Sequence, residues 1–446
     1  MPAIKLLPHQ ILCVEYMKTH RGLILFHSTG SGKTFTSLYA LYSLPYSIII
    51  IGTKSSKKTY RDSIKRAEMD INRFEFYTYA KIKKILEQNI LIFKGVCVIV
   101  DEAHYLRSET AYNLYLGSAL KLAEKVMLLT ATPIINYPND LAVLVNIVRG
   151  EDVLPTERKL FDDIFFDPDT GSAINQQILY ERIKGTISYY KIKDDANYPQ
   201  STTKWREVVM NHEQINEYVY YLRTIIYKDR DVVSDADILN VDYGLVPAKR
   251  RNFFLTITRQ LSNTPIDAHP DEISPKILEI YDMIIAAPKP VIIYSNFLRN
   301  GIYRLIRLLD KNNHPYATIT GDTTSDKLEI VVNGYNRGLH PILCISSAGS
   351  ETLDFKNTRQ IHIMEPHWNE AKIQQVIGRA VRYGSHSTLP PEERTVKIVH
   401  WVSIFPPRIR NDSADIYLMK LSQLKTKYMN QYLGTIIQAS IESLNP

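Results

Sequence analysis

Cysteine is scarce in this chain: Cys13, Cys97 and Cys344 are the only three in 446 residues, and they stand far apart in apolar surroundings. That spacing predicts buried structural thiols rather than a disulfide framework or a zinc site, and with them a reducing, intracellular compartment. Long apolar runs are missing as well. No stretch has the uninterrupted apolar residues that a membrane-crossing helix needs, and the opening "MPAIKLLPHQ" lacks the apolar core of a signal peptide. No low-complexity tract and no repeat shorter than a domain is present. What remains has the composition of an ordinary globular protein, 45% hydrophobic and 23% charged, and its length allows two or three domains with sizeable cores. The formal charge of +7 is a mild lean toward a polyanionic partner.

Glycine gathers where chemistry is expected. "FHSTGSGKTFT" (26–36) contains most of the phosphate-loop pattern G-x-x-x-x-G-K-[ST], with His27 where the first glycine normally stands. Gly30 and Gly32 let the backbone turn so that successive N–H groups face inward, and the following helix adds its positive N-terminal dipole. His27, Ser28, Thr29, Gly30, Ser31, Gly32, Lys33 and Thr34 are therefore the candidate ATP-binding residues. Lys33 is placed to reach the β- and γ-phosphates and the Thr34 hydroxyl to bind magnesium. His27 could meet a phosphate or fill space, and filling space is the favoured reading. The flanks fit: "GLILF" (22–26) reads as a buried strand and "KTFTSLYALYSL" as a helix.

A second apolar strand, "KGVCVIVDEAH" (94–104), ends in two carboxylates. In a parallel sheet its C-terminal edge lies beside the phosphate loop. Asp101 is then expected to hold magnesium, and Glu102 to polarise the attacking water. An acidic helix start after a strand is the bland alternative, and the order and separation of loop and strand count against it.

Residues 1–150 alternate short apolar strands with helical stretches, as a parallel α/β domain does. Residues 271–405 repeat the alternation, with "PVIIYSNF", "YATITGD", "PILCISS", "RQIHIMEP" and "TVKIVHWVSIF" as strands. Residues 151–270 read as a mainly helical insertion with a few strand segments such as "GTISYYKIK", and residues 406–446 as a helical tail. Two facing α/β domains make a cleft in which arginines of the second can complete the site of the first.

Asp101–His104 spell a DEAH box, and the chain resembles superfamily 2 helicases and translocases in an ordered series of further motifs. The resemblance implies two tandem RecA-like parallel-sheet domains. "LLPHQ" (6–10) is similar to the adenine-reading segment, with Gln10 as its glutamine. "IIIIGTK" (48–54) resembles the strand whose end meets nucleic-acid phosphates, through Thr53 and Lys54. "LLTATP" (128–133) resembles the coupling motif, with hydroxyls from Thr130 and Thr132, and His104 takes a coupling role within the box. "ITGDTTSDK" (319–327) and "LCISSAGSETLDF" (343–355) are similar to the nucleic-acid and coupling motifs of the second domain, and point to Thr320 and Ser346. "QQVIGRAVR" (374–382) supplies Gln375 to the nucleotide and Arg379 and Arg382 as arginine fingers.

"EPHWNE" (365–370) resembles the D-x-x-W-N-P of Swi/Snf-type translocases, with Glu365 and Glu370 as departures, and carries Trp368 as a nucleic-acid candidate. The run from "GRAVRYGSH" through "LPPEERTVKIVHWVS", with "HSTGSGKT", most resembles the nucleoside triphosphate phosphohydrolase I group of poxviruses and related large cytoplasmic DNA viruses. That resemblance implies a magnesium- and DNA-dependent ATPase that tracks duplex DNA and works with a viral RNA polymerase, located in virion and host cytoplasm. Between "YATITGD" and "PILCISS", where related helicases often carry a strand-separating hairpin, stands only the mostly helical "TTSDKLEIVVNGYNRGLH" (323–340). A strand-separating DNA or RNA helicase is the rival enzyme reading. A non-catalytic adaptor is the rival from another class, and Lys33, Glu102, Arg379 and Arg382 together argue against it. Trp368 and Trp401 read equally as core or stacking residues, and Lys249, Arg250 and Arg251 as a phosphate contact or a solvated face.

Overall fold

The computed structural model describes residues 5–28, 30–88, 90–107, 111–131, 134, 137–167, 169–170, 172–191, 198–227, 239, 241–269, 272–346, 353–367, 370–409 and 411–444. The chain divides into two units, one formed by residues 1–193 with 424–446 and the other by residues 194–423.

In the first unit the strands are runs such as "IIIIG" and "CVIV", apolar at every position because both faces of a parallel sheet are covered by helices. They are β1 (Gly22–His27), β2 (Ile48–Gly52), β3 (Phe74–Thr78), β4 (Cys97–Val100) and β5 (Lys125–Thr130). A two-residue antiparallel pair, β6 (Phe166–Asp167) with β7 (Ser172–Ala173), stands apart from the sheet. The sixth sheet strand, β8 (Ile187–Tyr190), arrives from within "GTISYYKIK". All pair in parallel in the order β3-β2-β4-β5-β1-β8. Helices cover both faces, and Tyr432 and Ile436 of the helix Ala414–Gln438, with Ala439 just beyond it, are buried in the same core as Ile24, Val98 and Leu128.

The second unit holds another all-parallel six-stranded sheet, of β9 (Gln200–Val209), β10 (Val291–Ser295), β11 (Ala317–Ile319), β12 (Ile342–Ser346), β13 (Gln360–Ile363) and β14 (Thr395–Ile404). Its order is β11-β12-β10-β13-β14-β9. The five strands expected between 271 and 405 are thus β10 to β14. Residues 323–340 contain the helix Ser325–Asn336. Trp401 is fully buried and donates from Nε1 to His362 Nδ1 at 3.1 Å, which makes it a core residue.

The stretch 151–270 does not form one insertion: it is divided between the units. Residues 187–190 extend the first sheet, and residues 200–209 pair with β14 along ten positions. Helices His212–Tyr221 and Ala248–Asn263 pack within the second unit against Phe405 and Leu418. Polar sequence hid β9: it is an exposed edge strand, "QSTTKWREVV", with no core-facing alternation to read. Arg250 and Arg251 donate to the carbonyls of Ile226 and Tyr243, so both serve local structure. All three cysteines are buried free thiols. Among the described residues no helix is long and apolar enough to cross a membrane.

Candidate active site

The phosphate loop leaves the C-terminal end of β1, and the two carboxylates leave the end of β4, with β5 between them. Thr130, the last residue of β5, is fully buried between these two exits. Gly30 has φ +79° and Gly32 φ +85°, a left-handed conformation that glycine adopts without a Cβ penalty. At Gly32 a second constraint applies: a Cβ there would stand 2.4 Å from Gln10 Nε2. Lys33 opens the helix Lys33–Tyr42, and its ammonium donates to the carbonyls of His27 (2.7 Å) and Ser28 (3.0 Å). Thr34 follows in the first turn of that helix, and Ser28 and Ser31 close the loop through a Ser31 N–H to Ser28 carbonyl bond of 3.3 Å.

Gln10 lies against the loop. Its Oε1 accepts from the Leu7 N–H at 2.8 Å, and its Nε2 faces the carbonyls of Ser31 and Gly32 at 3.5 and 3.4 Å. His9, a residue the sequence did not single out, adds a 3.2 Å bond to the Ser31 carbonyl and stacks on Tyr190 with ring centres 3.6 Å apart.

His27 turns its side chain toward the edge strand β8. Its ring is fully buried and its Nε2 lies 2.7 Å from Ser188 Oγ, so the loop is lined here by the carbonyl and not by the imidazole. Burial, then the charges of Lys33 and His9, hold its pKa well below the ordinary histidine value.

Asp101 and Glu102 are set by the end of β4. Glu102 has φ +52°, left-handed for a residue with a Cβ, a conformation that costs of order 1–3 kcal/mol and is concentrated at functional sites. Its Oε2 lies 3.3 Å from His104 Nδ1, and His104 is buried. Tyr79 donates from its hydroxyl to the carbonyls of Asp101 (2.8 Å) and Glu102 (3.2 Å), clamping the turn. Burial, and then the neighbouring Glu102 carboxylate, raise the Asp101 pKa from 3.8 to about 6, against opposing effects of Ser56 and Lys33. A pair of hard oxygen donors beside a phosphate loop fits a divalent cation such as magnesium, whose charge relieves that repulsion. Thr34 and Asp101 are the residues that would hold it.

Thr53 caps the helix Lys54–Arg66: its hydroxyl accepts from the Ser56 N–H at 3.3 Å and lies 3.0 Å from Ser56 Oγ. Capping is therefore its observed work, while Lys54 opens that basic helix. Ser56, which links this cap to Asp101, carries no sequence signal of its own.

Within the second unit the sheet's C-terminal edge gathers three expected segments. Thr320 follows β11 and accepts, on its carbonyl, the Thr323 N–H at 3.1 Å; Ser346 ends β12 and is buried. Glu365 follows β13 and is fully buried. It accepts from Asn296 N (2.6 Å), Asn296 Nδ2 (3.0 Å), Ser295 Oγ (2.9 Å) and Asn263 Nδ2 (2.8 Å). The helix Glu370–Ala380 carries Gln375 and Arg379, and Arg382, just beyond it, pairs with Asp354. Thr29, Thr132 and Trp368 lie outside the described residues.

A family profile for the SNF2-related domain matches residues 44–266, and one for the helicase conserved C-terminal domain matches residues 275–384. Over 443 residues, 99% of each chain, the sequence is 57% identical to an Acanthamoeba polyphaga mimivirus protein that carries the provisional name ATP-dependent RNA helicase. It is 25% identical over 492 positions to the termination factor NPH-I homolog of African swine fever virus, covering 86% of this chain and 69% of that one. Nucleoside triphosphatase I of Heliothis armigera entomopoxvirus is 24% identical over 510 positions, 96% of this chain and 77% of the other.

Proposed function

We propose, from the premise that this chain belongs to the SNF2-related family of helicase-type ATPases, that it turns ATP hydrolysis into movement along duplex DNA. One observation carries the reading: a single sheet edge brings Gln10, Lys33 and the Asp101–Glu102 pair around one loop. The loop N–H groups and Lys33 bind the phosphates, and Gln10 orients the base against the loop. Thr34 and Asp101 would hold magnesium, which would supply charge neutralisation at the phosphates. Glu102, fixed by its backbone and by His104, orients the attacking water and accepts its proton.

The remaining steps need both units. Arg379 and Arg382 stabilise charge on the γ-phosphate only when the units close on ATP, which ties hydrolysis to closure. Thr130 and Thr132 relay between the ATP and nucleic-acid surfaces. Thr53, Lys54, Thr320, Ser346 and backbone N–H groups grip phosphates, so binding is sequence-independent and falls with salt. The African swine fever virus relative, named as a termination factor, supports a role in ending viral transcription, with the polymerase as partner. The mimivirus relative's name supports a second reading, in which RNA is the track.

ATP turnover measured in parallel with duplex DNA, single-stranded DNA and RNA separates these readings. Duplex DNA is expected to stimulate most, with displacement of a third strand and little unwinding of a plain fork. Lys33→Ala is expected to lose ATP binding, and Glu102→Gln to bind ATP yet turn over roughly 10²-fold slower or worse. Efficient fork unwinding without third-strand displacement would sink the translocase reading, and stimulation by RNA alone would install the second.

A further inference from the structure

Behind the phosphate loop lies a second polar cluster that the hydrolysis chemistry does not use. Ser188, on the edge strand β8, is fully buried, and its hydroxyl meets three groups from distant parts of the chain. Cys13 Sγ is 3.2 Å away, His27 Nε2 is 2.7 Å away, and Glu442 Oε1 accepts the hydroxyl proton in a short bond. The other carboxylate oxygen of Glu442 accepts the Tyr189 N–H at 2.8 Å.

Donors and acceptors close in one direction only. A serine hydroxyl donates once and accepts twice. Glu442 can only accept, so Ser188 donates to it, and Ser188 then accepts from Nε2–H of a neutral His27 and from the Cys13 thiol. Burial pushes that thiol up to about 12, so it keeps its proton. Thiol, imidazole and carboxylate atoms within 4.8 Å of one another have metal-ligand chemistry, but the Ser188 hydroxyl already answers all three.

The cluster reaches the nucleotide site through the backbone. The His27 carbonyl accepts from Lys33, and the Ser28 N–H donates to the Tyr190 carbonyl at 3.0 Å. Glu442 stands on the short helix Ile441–Leu444, and by taking the outward Tyr189 N–H it also does the work of a further strand at this sheet edge.

We infer that Glu442 is a positioning residue for the phosphate loop, holding it through Ser188 and His27 in the conformation that receives ATP. The inference rests on the ATP-hydrolase reading above. Its test uses the full chain with Glu442→Gln, Ser188→Ala and both together. Glu442→Gln keeps the size but turns one of the two acceptors into a donor, so the Ser188 hydroxyl and the Tyr189 N–H can no longer both donate to it. Affinity for a fluorescent ATP analogue, KM and kcat for hydrolysis, and the melting temperature without nucleotide are compared with the parent. Each single variant is expected to weaken ATP binding and raise KM about tenfold, the scale of one hydrogen bond to a charged group. With saturating ATP, kcat stays within about twofold, because the loss is one of binding. The double variant is expected to be no worse than the weaker single, since both changes cut one relay. Ser188→Thr, which keeps the hydroxyl, restores affinity.

Parental ATP affinity in folded variants, or losses that multiply in the double, would overturn the latch. Stoichiometric zinc in the purified parent, lost with Cys13→Ser, would overturn it in favour of a metal site. A parent that hydrolyses no ATP with any nucleic acid would instead defeat the underlying reading, whatever the variants do.

Discussion

Asp101 and Glu102 sit side by side in sequence and are kept different by their surroundings. Asp101 is shielded beside Ser56 and Lys33, while Glu102 is turned by its left-handed backbone toward His104. The raised Asp101 pKa has a consequence for stability. The unfolded carboxyl ionises near 3.8 and the folded one near 6, so as pH rises through that window the unfolded state is favoured first. Stability held below about pH 4 is therefore lost by about pH 6, in an amount of roughly 2–3 kcal/mol. Asp101→Asn is expected to abolish this loss. Thermal melts without nucleotide or divalent cation should show the variant gaining on the parent as pH rises from about 4 to 6; parallel curves would contradict the assignment. Residues of this kind were legible in the sequence because glycine, lysine and paired carboxylates at fixed spacing have few other uses. Tyr79, Ser56, Ser188 and Glu442 were not. Each is an ordinary polar residue whose meaning comes from a partner brought near only by the fold, in the case of Ser188 and Glu442 from 254 positions away.

At the scale of elements, apolar runs announced the interior strands, since a strand covered on both faces has nothing polar to hide. Edge strands follow another rule. β9 is polar along nearly its whole length and is recognisable only through its pairing with β14. Helices of the second unit are tied together by a buried ion pair, Lys276 with Asp415 at 3.1 Å, both side chains 1% exposed. Lys276 Nζ also donates to Ser262 Oγ and to the Met364 carbonyl, and Asp415 accepts from the Ser403 N–H. Four elements thus meet on one charge. Lys276→Ala leaves the Asp415 carboxylate buried without its counter-ion and is expected to cost about 3–5 kcal/mol. Calorimetry should show a lowered melting transition with nucleotide affinity retained; an unchanged transition would mean that the Ser262 and Ser403 bonds suffice.

For the whole molecule, two six-stranded parallel sheets are the framework. The arginine pair tests whether the units cooperate in hydrolysis. Arg379→Ala or Arg382→Ala is expected to slow turnover by roughly 10³-fold, as loss of an arginine finger does, while DNA affinity holds. Binding measured by fluorescence anisotropy alongside turnover decides it: equal loss of DNA binding would assign these side chains to the nucleic-acid surface.

The first unit is assembled from two separated pieces of chain, residues 1–193 and 424–446, and the later piece brings Tyr432, Ile436, Ala439 and Ile441 into its core. Synthesis runs from the N-terminus, and domains generally fold as units in that order. Here the order cannot be kept. The second unit, continuous from 194 to 423, is complete while the first still waits for the residues that close its core. The strand edge behind the phosphate loop therefore gains its bonds to Glu442 only after the whole second unit has been made.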